Sequence, residues 1–190
     1  REKDAYSLVD AAQSIPHRNF SVDDLGADFV AFSGHKMLGP TGTGALYVSD
    51  RGKEELEPLK YGGGAVRNVG RKSSDLKGFP QGFEPGLKNL AGFIGFGRAA
   101  EYLESVGMES IERHEAELTE MMVEGLEEMG FEVLNKGPGI VSIVTESLNP
   151  NEAAEVLNNR GVKVRAGQHC LHRWFEERKF NSTLRASMYL

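Results

Sequence analysis

Three apolar runs near the start of the chain predict buried strands. They are YSLVD (6–10), DFVAFS (28–33) and GALYVS (44–49). None of them alternates apolar with polar residues as a strand with one solvent-facing side does. Continuous runs of this kind are typical of sheets that helices cover on both faces. The pattern therefore predicts an α/β fold with a large, mostly parallel sheet.

From residue 90 the apolar positions recur at helical spacing instead. The stretch LAGFIGFGRAAEYLESVG predicts a helix that begins at Leu90 and ends at Gly107. A second helix is predicted over 109–129, with Gly130 as its cap. The predicted buried stripe of this second helix consists of Ile111, Leu118, Met122, Leu126 and Met129.

The rest of the chain predicts a small α+β domain. Strands are predicted in FEVLN (131–135), IVSIV (140–144) and VKVRA (162–166), and the closing RASMYL is strand-like. A helix is predicted over 151–160, and it ends at Gly161.

These elements predict three parts. Residues 1–88 form the second half of a large domain, 89–110 a connecting helix and 111–190 a small C-terminal domain. Within the first part, 66–88 is rich in Gly, Lys, Arg and Ser and has no clear period. We expect a long functional loop there.

The charge and the cysteine count narrow the function classes. The 190 residues carry a net charge of −6, which argues against nucleic-acid binding because such proteins usually present a basic face. No apolar run reaches the roughly 18 residues of a transmembrane helix, so none is expected. Cys170 is the only cysteine of the chain, which excludes an internal disulfide and fits the reducing cytoplasm.

The stretch SGHKMLGPTGTGALY places Lys36 between a predicted strand and a glycine-rich loop. A lysine held beside apolar structure loses hydration, which favours the uncharged amine that attacks aldehydes. Ser33, His35 and the N–H groups of the following glycines are suitable donors to a phosphate. Together these groups indicate pyridoxal 5′-phosphate (PLP), which carries both an aldehyde and a phosphate.

Asp10 and Gln13 support this prediction. PLP withdraws electrons effectively while its pyridine nitrogen stays protonated, and a carboxylate at the C-terminal end of a strand can hold that proton. Gln13 lies three residues further along the chain and is placed to donate to the cofactor's phenolic oxygen.

Other interpretations of the same residues stay open at this point. A lysine before a glycine-rich loop is most often a solvated turn residue, and an Asp at a strand end is most often a helix N-cap. GPTGTG is not a P-loop, because that pattern requires Lys and then Ser or Thr after its last glycine. Here Ala45 and Leu46 follow.

Longer stretches around these residues resemble a known family. VDAAQSIPH, followed by ADFVAFSGHKMLGPTGTGALYV, resembles the class V aminotransferase family of fold type I PLP enzymes, and within it the SufS-type cysteine desulfurases and selenocysteine lyases. VRAGQHC and LRAS resemble the cysteine loop and the substrate arginine of that group. The resemblance covers nearly the whole chain and corresponds to the later half of such an enzyme. We therefore expect the chain to be a piece of a longer protein and to be inactive alone.

The resemblance implies a role for each site residue. Lys36 would bond covalently to the PLP aldehyde. Arg185 would bind the substrate carboxylate, and Cys170 would be the nucleophile that carries sulfur as a persulfide. The implied cofactor contacts are Asp10 to the pyridine nitrogen, Gln13 to the phenolic oxygen, and Ser33 and His35 to the phosphate.

The residues around Cys170 allow alternatives and show departures from the family. A single cysteine is most often a small buried hydrophobe, although nearby His169, Arg165 and Arg173 would favour a thiolate. A metal site of His169, Cys170 and His172 lacks a fourth ligand and the usual spacing. Arg185, without the family, would be a surface or salt-bridge arginine.

Two departures from the family pattern are notable. Gln168 stands where the family usually has His, and Leu87 stands where it has a Thr that reaches the partner subunit's cofactor phosphate.

The implied function is PLP-dependent removal of sulfur from L-cysteine, with a homodimer, a sulfur-acceptor protein, iron–sulfur cluster assembly and a cytoplasmic location. The substrate would be a small amino acid, with no nucleic acid and no membrane involved. The alternatives are another class V enzyme without sulfur transfer, such as an aminotransferase, a selenocysteine lyase or an amino-acid lyase, and a non-catalytic binding module.

Overall fold

The computed structural model describes residues 4–137, 139–144 and 149–190. Two compact units make up the chain, Arg1–Val106 and Gly107–Leu190. The assignment of 1–88, 89–110 and 111–190 to a PLP-binding domain, a connecting helix and a small domain stays a prediction.

A three-stranded sheet forms the first unit's centre. Its strands are β1 (Leu8–Asp10), β2 (Phe29–Ser33) and β3 (Gly44–Val48), in the order β1-β2-β3. β1 runs parallel to β2, whereas β3 runs antiparallel to it. The carboxyl ends of β1 and β2 and the amino end of β3 therefore lie at one edge of the sheet.

The prediction that all three apolar runs are buried strands is wrong in part: Val30 of β2 and Val48 of β3 are buried, but Leu8 of β1 and Leu46 of β3 are 64% and 51% exposed. Val30 of β2 is fully buried with Ala11 and Ala27, and the partly buried hydrophobic side chains around them are Val9, Ile15, Val22 and Tyr47. After β3, the Ser49 hydroxyl accepts a hydrogen bond from the Gly52 N–H at 3.1 Å and caps a short helix, α1 (Asp50–Glu55), that the sequence did not predict.

The prediction of an irregular loop over 66–88 is wrong. The segment contains an antiparallel hairpin of β4 (Val66–Val69) and β5 (Ser74–Leu76), followed by a 3₁₀ turn at Gln81–Phe83. The hairpin escapes the apolar pattern because most of its side chains are exposed on both faces. The predicted helix that follows is present as α2 (Leu90–Val106).

A four-stranded antiparallel sheet forms the second unit. The strands are β6 (Glu132–Asn135), β7 (Ile140–Val144), β8 (Arg165–Gly167) and β9 (Thr183–Ser187), in the order β6-β7-β9-β8. Three helices complete the unit, namely α3 (Met108–Glu128), α4 (Pro150–Asn159) and α5 (His172–Arg178).

The two faces of this sheet differ. Val141 and Ile143 of β7 are buried, and Ile143 pairs with buried Leu184 across the ladder. Ser142, between them, pairs with Arg185. Because side chains alternate along a strand, one face holds the apolar core and the opposite face holds Arg185.

The buried face of α3 differs from the prediction. Ile111 is buried, but Met129 is 67% exposed, and its inclusion in the buried stripe is wrong. Glu115 and Thr119 are buried instead. The Thr119 hydroxyl accepts a hydrogen bond from the Gly139 N–H at 3.0 Å, so hydrogen bonding allows polar residues where the pattern sought apolar ones.

The helix ends of this unit follow the prediction, but one strand does not. Gly130 and Gly161 take left-handed conformations, with φ of 83° and 85°, two residues beyond the last residues of α3 and α4. The strand predicted over 162–166 begins only at Arg165, because the Val162 N–H still bonds to Leu157 at the end of α4.

Candidate functional site

The chain makes a tight turn where β2 leaves the sheet. Gly34–Met37 form one 3₁₀ turn, which ends at Leu38 in a left-handed conformation with φ of 61°. The Gly39 N–H donates to the Gly34 carbonyl at 2.9 Å and closes the turn. Met37 is buried and Lys36 is partly buried. The lysine therefore stands directly at the edge of the sheet.

Glycines allow the lysine turn to pack closely against its surroundings. A Cβ atom on Gly34 would lie 2.2 Å from Thr43 Oγ1 and 3.1 Å from the Phe96 ring of α2. Thr43 is buried, and its hydroxyl donates to the Pro40 carbonyl at 2.6 Å. The turn therefore has little room to move.

Replacing Gly34 with Ala is expected to destabilise the protein by about 2–4 kcal/mol, because the new methyl displaces Thr43 and its hydrogen bond. The thermal midpoint of the full-length protein measures the change. Gly97→Ala is the matched control. No atom lies within 4 Å of its added Cβ on α2, so a gain of up to about 1 kcal/mol is expected. Equal midpoints for the two variants would contradict the close packing.

Asp10 and Gln13 lie at the same end of the first sheet as the lysine turn. Asp10 pairs with Ala31 in the parallel ladder, two residues before Ser33. Its Oδ1 accepts a hydrogen bond from the Ala12 N–H at 3.0 Å, so the residue does cap a turn. Asp10 and Gln13 are exposed. Capping uses one carboxylate oxygen, and the side chain remains accessible at the sheet edge.

Arg185 lies in the middle of β9 beside a second arginine. Arg165 of β8 is its direct partner in the antiparallel ladder, so both side chains project from the same face. Arg185 Nε is buried and has no hydrogen-bond partner among the described residues. Burial lowers the pKa of Arg185, and the charge of Arg165 lowers it further. Two adjacent guanidinium groups with an unused donor suit a carboxylate ligand.

Cys170 lies on a tight turn between β8 and α5. The Leu171 N–H donates to the Gln168 carbonyl at 2.8 Å, and both central residues are left-handed, with φ of 49° at His169 and 67° at Cys170. These signs are those of a type I′ turn. Cys170 is exposed, so the interpretation as a small buried hydrophobe is wrong.

The surroundings of Cys170 differ in charge from the expectation. Burial lowers the pKa of His169, and the charges of Arg185 and Arg165 lower it further, which disfavours a charged ring. Arg173 is paired with Glu177 at 2.9 Å. Both observations weaken the positive charge expected beside Cys170. Within the described residues, no group of three His, Cys, Asp or Glu side chains could hold a metal ion.

The sequence matches one family over its whole length. Residues 1–190 match the model of the family described as Aminotransferase class-V. The chain belongs to the class V aminotransferase family.

Curated relatives of the chain include cysteine desulfurases. The chain is 43% identical over 192 residues to a probable cysteine desulfurase of Halalkalibacterium halodurans, covering 98% of this chain and 47% of the relative. It is 38% identical over 195 residues to a cysteine desulfurase of Haloferax volcanii, covering 100% of this chain and 46% of the relative. The chain spans about half the length of these curated relatives.

A solved structure shows the same fold. The apo structure of a cysteine desulfurase from Thermococcus onnurineus NA1 has a TM-score of 0.94 at 36% identity, covering 99% of this chain and 48% of that chain. The predicted fold class, the α/β fold type I of PLP-dependent enzymes, is confirmed, as is the resemblance to class V aminotransferases.

At one end of the first sheet, this class V aminotransferase chain presents groups that suit PLP. The chemistry of the Lys36 amine suits the aldehyde, that of the Asp10 carboxylate the ring nitrogen and that of the Ser33 hydroxyl the phosphate. The Ser33 side chain makes no capping bond to the 3₁₀ turn, so its hydroxyl is not used there. His35 is exposed beside it. A Cβ on Gly44 would lie 2.6 Å from the Phe32 carbonyl, so this position requires glycine, and the backbone there carries no side chain.

Two residues beside Cys170 were missed as contributors to the site. Thr183 is buried beneath the turn, and its hydroxyl lies 3.0 Å from His169 Nε2. Gln168 Nε2 donates to the Asn181 carbonyl at 3.0 Å. No local signal identifies these contacts, because each joins segments that are far apart in sequence. Leu87, the other departure from the family, is 97% exposed.

Proposed function

We propose that the whole protein is a PLP-dependent cysteine desulfurase, which removes sulfur from L-cysteine to give alanine and an enzyme persulfide. The observation that carries this proposal is the exposed Cys170, held on a turn that is bonded to the strand of Arg185. An exposed thiol, and an arginine whose Nε has no partner among the described residues, suit sulfur removal from an amino acid. The named relatives support the same activity.

The first unit would hold the cofactor and move the substrate's proton. Lys36 would bind PLP, and its amine, once free, would take the proton from the substrate's α-carbon and return one later. Asp10 would keep the ring nitrogen protonated, while Gln13 would donate to the phenolic oxygen. Ser33 and His35 would donate to the phosphate. PLP itself supplies an electron sink for the substrate's α-carbon.

The second unit would bind the substrate and accept its sulfur. Arg185 would hold the carboxylate of L-cysteine through two hydrogen bonds. The Cys170 thiolate would attack the substrate's sulfur atom as the carbon–sulfur bond breaks. The electron pair of that bond stays with the carbon, which takes up a proton to give alanine. The transferred sulfur remains on Cys170 as the outer atom of the persulfide.

The assembly and location are also proposals. We infer a homodimer, a sulfur-acceptor protein that takes the persulfide sulfur, a role in iron–sulfur cluster assembly and a cytoplasmic location. The single cysteine of the chain and its net charge of −6 support a reducing compartment and a partner other than nucleic acid. Among the described residues, no helix has the length and apolarity needed to span a membrane.

The product analysis of the full-length protein with PLP tests the function. With L-cysteine, we expect alanine in amounts equal to the sulfide released by a thiol reductant, and a persulfide mass on the peptide that contains Cys170. An aminotransferase would form a keto acid, an amino-acid lyase would release ammonia, and a binding module would form none of these. Any of those three results would overturn the proposal. Activity on L-selenocysteine alone would favour a selenocysteine lyase.

Replacing Arg185 with Lys is expected to lower kcat/KM for L-cysteine about 10²-fold, mainly through KM. Lysine keeps the charge but cannot form two parallel hydrogen bonds to a carboxylate. Steady-state alanine formation measures the change. Arg173→Lys is the control, because that exposed arginine is paired with Glu177 and should behave as wild type. An unchanged KM in Arg185→Lys would remove Arg185 from the substrate site.

A further inference from the structure

Hydrogen bonds of two side chains hold the turn that carries Cys170. One joins the turn to Asn181, just before β9, and the other joins it to Thr183, the first residue of β9. Gln168 Nε2 donates to the Asn181 carbonyl, and His169 Nε2 lies 3.0 Å from Thr183 Oγ1. Thr183 is only 2% exposed. The bonded residues are 13 and 14 positions apart in sequence, so tertiary contacts hold the turn in addition to its own backbone bond.

The turn needs such support because its backbone is unfavourable. His169 and Cys170 have φ of 49° and 67°, and neither is glycine. A non-glycine residue in this region is strained and persists where its surroundings hold it. The bond between the Leu171 N–H and Gln168 closes the turn but is common to many turns. The side-chain bonds are the additional contacts that hold Cys170 in this conformation.

We propose that Thr183, acting through His169, is a positioning residue that sets where the Cys170 thiol stands relative to Arg185. The Thr183 hydroxyl lies 3.0 Å from His169 Nε2 and 3.5 Å from the Gly167 carbonyl. Which of the two groups donates in the bond between the hydroxyl and Nε2 depends on the tautomer of the ring. This proposal rests on the proposed function, in which Cys170 attacks the substrate that Arg185 holds.

The geometry links the two groups through one strand. Thr183 and Arg185 are two residues apart on β9, so their side chains project from the same face. The strand that binds the substrate's carboxylate therefore also fixes the turn with the attacking thiol. A misplacement of about 1 Å between reacting atoms can cost about 10²-fold in rate, so loss of the Thr183 contact should slow sulfur transfer.

Two variants of Thr183 in the full-length protein with PLP test the contact. Thr183→Val keeps the side-chain shape without the hydroxyl, and Thr183→Ser keeps the hydroxyl. We expect the single-turnover rate of persulfide formation on Cys170 to fall about 10- to 100-fold in Thr183→Val. Its KM for L-cysteine should stay within about twofold, because Arg185 is intact. Thr183→Ser should retain most of the wild-type rate.

A pair of His169 variants separates the hydrogen bond from backbone strain. His169→Gln places a hydrogen-bonding amide near the position of Nε2, whereas the shorter side chain of His169→Asn does not reach it. Asn tolerates a positive φ better than His does. We expect His169→Gln to retain the rate and His169→Asn to match Thr183→Val. Wild-type activity in His169→Asn would show that backbone conformation alone sets the turn and would overturn the proposal.

Hydrogen exchange supplies a readout that does not depend on turnover. The Leu171 N–H closes the turn, so its exchange should be about tenfold faster in Thr183→Val and His169→Asn and unchanged in the two conservative variants. Wild-type persulfide and exchange rates in Thr183→Val would overturn the positioning role, as would a changed KM with an unchanged persulfide rate. Failure of the proposed function looks different, because the wild-type protein would then form no alanine from L-cysteine.

Discussion

Replacing Lys36 with Ala is expected to lower alanine formation from L-cysteine at least about 10³-fold in the full-length protein. Two contributions are lost together, the covalent attachment of PLP and the transfer of the substrate's α-proton. General acid–base catalysis alone is worth about 10²- to 10⁴-fold. The visible absorbance of protein-bound PLP should disappear with the activity, so spectra and product assays measure the same change independently.

Two controls make this result specific. Lys60→Ala removes an exposed lysine of the same unit and should leave both the absorbance and the rate unchanged. Lys36→Arg keeps the positive charge but cannot bond to the aldehyde, so it should behave like Lys36→Ala. A Lys36→Ala protein that kept the visible absorbance would place the cofactor at another lysine.

Replacing Cys170 with Ala is expected to lower the rate of alanine formation from L-cysteine about 10³-fold, because the nucleophile proposed to accept the sulfur is lost. The visible absorbance of bound PLP should remain, since Cys170 and the lysine turn belong to different units of the chain. The two substitutions therefore separate cofactor binding from sulfur transfer. Stopped assays of alanine and absorbance spectra on the same sample measure both.

The control for this substitution is a neighbouring residue. His172→Ala changes an exposed side chain two residues along, at the start of α5, and should leave the rate near that of wild type. If Cys170→Ala turned over its best amino-acid substrate at the full rate, the protein would be a class V enzyme without sulfur transfer. The comparison is meaningful only if both variants bind PLP equally well.

Much of the fold follows from continuous apolar runs. The runs at 6–10, 28–33 and 44–49 all contain strands, although only Val30 and Val48 of those strands are buried in the described residues. The β4–β5 hairpin could not be found in this way, since its exposed side chains carry no apolar pattern. The same reasoning fails for α3, where Glu115 and Thr119 take buried positions and the Thr119 hydroxyl accepts a hydrogen bond from the Gly139 N–H.

The candidate site likewise has one part that local sequence patterns predict and one part that they do not. The residues of the first unit come from two short stretches around Asp10 and Lys36, and parallel strand pairing is enough to bring their ends to one edge. The contacts that shape the Cys170 turn join it to Asn181 and Thr183, beyond the intervening helix α5. Contacts of that kind depend on tertiary packing, and no local pattern encodes them.

The tight packing of α2 against the lysine turn has a practical consequence for protein engineering. A Cβ on Gly92 would lie 2.8 Å from Thr43 Cγ2, and one on Gly95 would lie 2.7 Å from Pro40 Cγ. The two glycines are three residues apart and share one side of the helix. A mutagenesis library should therefore leave both unchanged and can vary Gly97, where an added Cβ meets no other side chain within 4 Å.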